Sequence, residues 1–260
     1  MLSCCMSWDP GQYLKFSQPR LRPAIDLLAR IFCDEPRQVY DLGCGTGNVT
    51  ALLLERWPRA RIAGIDASAA MLAQAAVALP KVQWVQQGLA DWQPEVPADI
   101  VYSNAALHWL PDHQRLFPAL LQHLAPCGVL AVQMPRNFAA PSHTLIDATA
   151  RTGPWRSKLE PLLDAAPVAA PQFYYSLLAP LTQQLDIWES EYLQLLSGKD
   201  PVKEWTKGTW LVPFLDRLDP AERVAFEADY AQRLRAAYPP LADGGTLFPF
   251  RRLFLVARKR

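Results

Sequence analysis

The chain has 260 residues, half of them hydrophobic, and a net charge of +1. This suits one core with insertions and provides no basic stripe for nucleic acid or an anionic membrane. Five cysteines, odd in number and without C-x-x-C pairing, read as reduced thiols of a cytoplasmic protein, and no stretch reaches the roughly 18 apolar residues of a membrane span.

The elements follow in chain order. Residues 1–6 carry neither a basic n-region nor a long apolar run, so no signal peptide is expected. The apolar spacing of Leu21, Ile25, Leu28, Ile31 and Phe32 predicts a helix over 18–33. Strands are predicted at 37–42, 61–66, 82–86, 98–103 and 128–134, with helices at 48–57, 68–78 and 113–124 between them. Such alternation builds a doubly wound, mostly parallel α/β sheet. Residues 136–182 are proline-rich and lack strand runs, 183–194 alternate like a strand, and 199–238 are helical and aromatic (Trp205, Trp210, Phe214, Phe226, Tyr230). Residues 246–257 close the chain as a final strand, so a helical segment is inserted between late strands.

The first strand ends at Asp41 and passes through Gly43, Gly45 and Gly47 into a helix. A strand, a glycine turn and a helix N-terminus let backbone approach an adenosine-bearing cofactor. The spacing G-x-G-x-G is one residue tighter than in dinucleotide enzymes. The carboxylate of Asp41 at the head of the turn suits a ligand with a positive amino group, such as S-adenosylmethionine. Asp66 ends the second strand about twenty residues later, where an acid accepts both ribose hydroxyl hydrogens. Ser68 is the better helix cap of the two. Asn104 follows the fourth strand at the carboxyl edge, where ligands sit in such sheets.

These motifs resemble the class I S-adenosylmethionine-dependent methyltransferases. Trp8-Asp9-Pro10 with Tyr13-Leu14-Lys15-Phe16, the run Asn104–His113, the run Gly128–Pro135 and the run Arg252–Ala257 are similar to the trans-aconitate 2-methyltransferase family within that class. The resemblance implies a seven-stranded Rossmann-like fold, with a lid and cofactor-binding core over 1–135. A mostly helical cap with one late strand follows over 136–240, and the final strand lies in 241–260. It implies S-adenosylmethionine held by Asp41, Gly43, Gly45, Gly47, Asp66, Ala67, Leu89, Ala90, Asp91 and Asn104, with Trp92 nearby. It also implies methyl transfer to a carboxylate of a small polycarboxylic acid, trans-aconitate first; the expectation is a monomer, with no metal because the histidines and cysteines form no metal-ligand spacing, and with no general base. A carboxylate is already ionised at pH 7.

The candidates for holding that acid are Tyr13, Arg22, His108, Trp109, Tyr174, Tyr175, Arg251 and Arg252. Tyr174 and Tyr175 read equally well as core of the cap, His108 as packing beside Trp109, Arg22 as a solvent-facing residue, and the face of Arg252 is ambiguous. His113 reads as a surface residue of its helix. Three departures from the family stand out: Gly88 where a carboxylate often meets the adenine, Trp210 and Val212 in place of glycine and arginine, and Arg251 in place of proline. Another small-molecule acceptor is one alternative function, and a nicotinamide-dependent oxidoreductase a weaker one. None of the eight tyrosines has a lysine four residues on.

Overall fold

The computed structural model describes residues 17–163 and 166–260; Tyr13 and the expected lid lie outside them. Seven strands form one sheet: β1 (Gln38–Leu42), β2 (Arg61–Asp66), β3 (Gln83–Gln86), β4 (Ala98–Asn104), β5 (Leu124–Pro135), β6 (Thr182–Leu196) and β7 (Thr246–Lys259). Their order is β3-β2-β1-β4-β5-β7-β6. β1 pairs in parallel with β2 on one side and β4 on the other, β2 with β3 and β4 with β5, while β7 runs antiparallel to β5. The order reverses between β1 and β4, which opens a crevice outside the carboxyl ends of those strands.

Val39, Tyr40, Asp41 and Leu42 are all buried, as a central parallel strand covered on both faces requires. The helices around the early strands are α1 (Ser17–Leu28), α2 (Asn48–Arg56), α3 (Ala69–Ala78) and α4 (His113–Gln122). α1 stops five residues short of expectation: Arg30 and Ile31 donate to the carbonyls of Leu27 and Leu28 in tightening turns. Ser68 caps α3 by accepting from the Met71 amide at 3.3 Å.

The later helices are α5 (Pro141–Thr152), α6 (Arg156–Leu159), α7 (Pro171–Leu178), α8 (Pro201–Lys207), α9 (Val212–Leu215) and α10 (Pro220–Ala237). The run expected as helical over 199–238 is therefore broken. Pro201 and Pro220 occupy first turns, where a missing N–H costs nothing, and Gly208 closes α8. Asp219 and Glu222 cap α10 reciprocally. No helix among the described residues is long and apolar enough to cross a membrane.

The contacts divide the chain into two compact units. One holds residues 18–135, 167–190 and 252–260, with β1 to β5 and their helices. The other holds the described residues of 136–166 and 191–251, around a core of Ile146, Trp155, Trp205, Phe214, Phe226, Tyr230, Phe248 and Phe250. The stretch 136–240 is thus shared, because 167–190 sides with the strand-rich unit.

Candidate active site

The strand-rich unit builds its site from the carboxyl ends of its strands. The three glycines take φ of 76°, 55° and 82° at Gly43, Gly45 and Gly47, in the left-handed region that other residues enter only with strain. They serve different ends. A Cβ on Gly43 would fall 2.1 Å from that of Ala106, and one on Gly47 would lie 3.0 Å from Trp84. Around Gly45 a Cβ would meet nothing within 4 Å, so this glycine borders open space. The Gly43 and Cys44 amides donate to the Ile65 carbonyl at 2.8 and 3.2 Å, tying the turn to the end of β2.

Two carboxylates flank the turn. Asp41 is buried and accepts a hydrogen bond of 2.6 Å from the Thr50 hydroxyl. Burial raises its pKa to about 7; the Thr50 hydrogen bond opposes the rise and the charge of Asp66 adds to it. Asp66 accepts from the Gly45 amide and the Ser68 amide, each at 2.9 Å. Ala67 is exposed, and its carbonyl accepts from Gln86 Nε2 at 3.4 Å. Leu89 reaches within 3.6 Å of the Gly43 Cβ position, which brings its loop to the turn. Ala90 and Asp91 are exposed on that loop. Trp92 turns away into the core, edge-on to Tyr40 and His123 at 5.1 and 5.6 Å.

Strand register extends the site. Asp41 pairs with Gly64 on β2 and Tyr102 on β4, Asn104 pairs with Gln133 on β5, and Gln133 pairs with Phe254 on β7. Paired residues share a face, and so do residues two apart in one strand. Asp41, Asp66, Asn104, Gln133 and Arg252 therefore lie on one face of the sheet, near its carboxyl edge. Along it, acceptors occupy β1, β2 and β4, and donors occupy β5 and β7. Among the described residues the buried Oδ1 of Asn104 and Nε2 of Gln133 have no hydrogen-bond partner. Arg252 is buried and donates through Nη1 to Gln133 Oε1 at 3.2 Å.

The remaining candidates divide. Arg252 turns inward, whereas Arg251 is exposed and lies 3.8 Å from Glu191. Alternation along β7 points adjacent side chains opposite ways, so of the two only Arg252 shares the face of Asp41, Asn104 and Gln133. Tyr174 is fully buried, its hydroxyl 2.7 Å from His113 Nδ1 and 3.3 Å from the Ala169 amide. It is core, but of the strand-rich unit, to which residues 167–190 belong, rather than of the cap. His113 is itself buried, with Nε2 at 3.0 Å from the Leu107 carbonyl, so it is not the surface residue expected. Burial lowers its pKa, against the pull of the Leu107 and Leu110 carbonyls.

Tyr175 and Arg22 are exposed. His108 is buried with its ring 4.7 Å from that of the half-buried Trp109. In the helical unit, Trp210 packs on Phe138 at 5.0 Å and His143 at 5.9 Å, and Val212 opens α9. Two residues of the site escaped the sequence reading: Thr50, which binds Asp41, and Gln133. The signal for Gln133 was present, since it is the one amide in the apolar run from Val129 to Met134.

Comparison with known proteins supplies the context. Residues 39–128 match a family model described as a methyltransferase domain. The trans-aconitate 2-methyltransferase of Azoarcus sp. (strain BH72) is 50% identical over 251 residues, covering 96% of this chain and 98% of the relative. That of Rhodopseudomonas palustris (strain BisB18) is 48% identical over 255 residues, covering 97% and 99%. Among solved structures, the YcgJ protein from Bacillus subtilis superposes with a TM-score of 0.59 at 15% identity, covering 92% of this chain and 99% of that one. Haemonchus contortus phosphoethanolamine N-methyltransferase 2, in complex with S-adenosylmethionine, gives a TM-score of 0.57 at 12% identity, covering 96% and 56%.

Proposed function

The chain belongs to the trans-aconitate 2-methyltransferase family, and from that premise we propose that it methylates a carboxylate oxygen of a small polycarboxylic acid. Trans-aconitate is the first candidate and a monomethyl ester the product. The enzyme is an S-adenosylmethionine-dependent methyltransferase. The observation that carries the choice of acceptor is the one sheet face on which the glycine turn and its carboxylates give way to a buried arginine. The Gly43 turn abuts Ala106, just beyond Asn104, and Asn104 pairs with Gln133, the partner of Arg252.

The residues present fit the cofactor. Gly45 leaves room for close backbone approach, Asp66 offers a carboxylate at the turn, and Asn104 Oδ1 is a buried acceptor in want of a donor. Asp41, Gly43, Gly45, Gly47, Asp66, Ala67, Leu89, Ala90, Asp91 and Asn104 would hold it. Asp66 would take the ribose hydroxyls, and Asp41 and Asn104 would face its amino group. When bound, S-adenosylmethionine supplies a methyl group on a sulfonium.

The rest falls to the chain. The attacking carboxylate is ionised at neutral pH, its reference pKa being near 4, so no side chain must take its proton. Arg252 would hold a second carboxylate of the acid, and a guanidinium fork suits that geometry. His108 and Trp109 would border the acid, with Tyr13, Arg22 and Tyr175 further candidates for its rim. Orientation of this kind supplies roughly 7–11 kcal/mol of a barrier. We place the enzyme in the cytoplasm, acting on a free small molecule. Cys33, Cys44 and Cys127 are not in disulfides, as a reducing compartment expects.

The test incubates the enzyme with methyl-labelled S-adenosylmethionine and trans-aconitate, then follows the label through mild alkali. Label that enters the acid and that alkali then releases as methanol supports an ester. Label that resists alkali, or none with any polycarboxylate, refutes the reading.

A further inference from the structure

We propose that Gln133 sets the enzyme's preference for acids with an additional carboxylate: its carboxamide oxygen fixes Arg252, and its N–H donates to that non-reacting carboxylate. The inference rests on the functional reading above and deepens it.

Gln133 is wholly buried in β5, among Val129, Leu130, Ala131, Val132 and Met134, all buried and apolar. Its side-chain orientation is determined. Arg252 has only donors to offer, so the oxygen must face the guanidinium, as it does at 3.2 Å. The Nε2 group is then turned elsewhere, and among the described residues it meets no acceptor. Burying an amide N–H without a partner is costly, and such groups in native folds mark a bound water or a ligand.

The surroundings select the ligand. A guanidinium and an amide N–H, linked through one hydrogen bond on one face of the sheet, form a set of donors with a positive charge. That set fits a carboxylate. The neighbour in register, Asn104, offers the opposite: a buried oxygen without a donor. An acceptor there suits the cationic amino group of the cofactor, so the boundary between the two ligands falls between β4 and β5. Gln133 then reads the acid, and its loss should weaken acids that carry the extra carboxylate more than those that lack it.

The experiment compares wild type with Gln133→Leu and Gln133→Glu. Calorimetry titrates trans-aconitate and the monocarboxylate crotonate into each protein saturated with S-adenosylhomocysteine, and turnover is measured in parallel. Both variants should bind trans-aconitate roughly tenfold or more weakly, the scale of a hydrogen bond to a charged group. Crotonate affinity should change less than about twofold, and the S-adenosylhomocysteine affinity should be unchanged. A purely structural role would lower both acids alike, and that result, or wild-type affinity for trans-aconitate, overturns the proposal. Gln133→Glu keeps the side-chain shape and decides the matter if the leucine variant does not fold. Wild-type protein that binds trans-aconitate without methylating it refutes the functional reading and leaves the binding data to judge Gln133. Wild-type protein that binds neither acid refutes both.

Discussion

Over β1 and β2 the carboxyl edge of the sheet is made of backbone and carboxylates: three left-handed glycines, Asp41 and Asp66. Over β5 and β7 it is made of side-chain donors, Gln133 and Arg252, buried in an apolar setting. The first half suits a ligand that the main chain can approach and that brings its own hydroxyl and ammonium donors. The second suits an anion. On the proposed function, one continuous face would sort two ligands by hydrogen-bond polarity, with Asn104 at the change of sign.

The strongest way to break this contrast is to discharge the acceptor half. Asp41 has its pKa raised from 3.8 to about 7 by burial. Below about pH 4 it is protonated in both the folded and the unfolded chain, and stability is full. As pH rises toward 7 the unfolded chain ionises first, and stability falls by up to roughly 1.4 kcal/mol per pH unit. Above that the curve flattens. Asp41→Asn should remove this slope in chemical denaturation run between pH 4 and 8; an unaltered slope would assign it to other groups.

Next come the glycines. Gly43→Ala must accept φ of 76° and an overlap with Ala106, at a cost of about 2–4 kcal/mol in denaturant titration. Gly45→Ala meets no atom and should lose only about 1–2 kcal/mol of stability, from φ alone. Cofactor affinity should suffer more from that variant than its stability suggests. Equal stability losses for the two would remove the distinction between a packing glycine and a ligand-facing one.

These residues also show what was legible in the sequence. The glycine turn was readable because a left-handed backbone tolerates almost nothing else. Asp66 was readable because strand length fixes where β2 ends. Gln133 stood out as the one amide of its apolar run, but its role was not readable, because its partner Arg252 arrives 119 residues later, on a strand that inserts antiparallel beside β5. His113 misled for the same reason: α4 alone leaves it on the surface, and Tyr174, 61 residues on, covers it. Local pattern specifies an element, and only the chain's return specifies which side chains meet across it.

The smallest expected effect concerns that covered histidine. Tyr174→Phe removes a buried hydrogen bond to His113 and should lower stability by about 1 kcal/mol while leaving kcat and KM as they are. A raised KM for the acid would return Tyr174 to the substrate site.

The division of the face is tested most directly by calorimetric titration of S-adenosylhomocysteine and of trans-aconitate into Asp66→Ala and Arg252→Ala. Asp66→Ala should weaken S-adenosylhomocysteine by about 1–3 kcal/mol and spare the acid's own contacts. Arg252→Ala should weaken trans-aconitate by about 2–5 kcal/mol, the cost of truncating a buried charged pair, and leave S-adenosylhomocysteine at wild-type affinity. Loss of S-adenosylhomocysteine binding in Arg252→Ala, or wild-type affinity for trans-aconitate in that variant, would contradict the division.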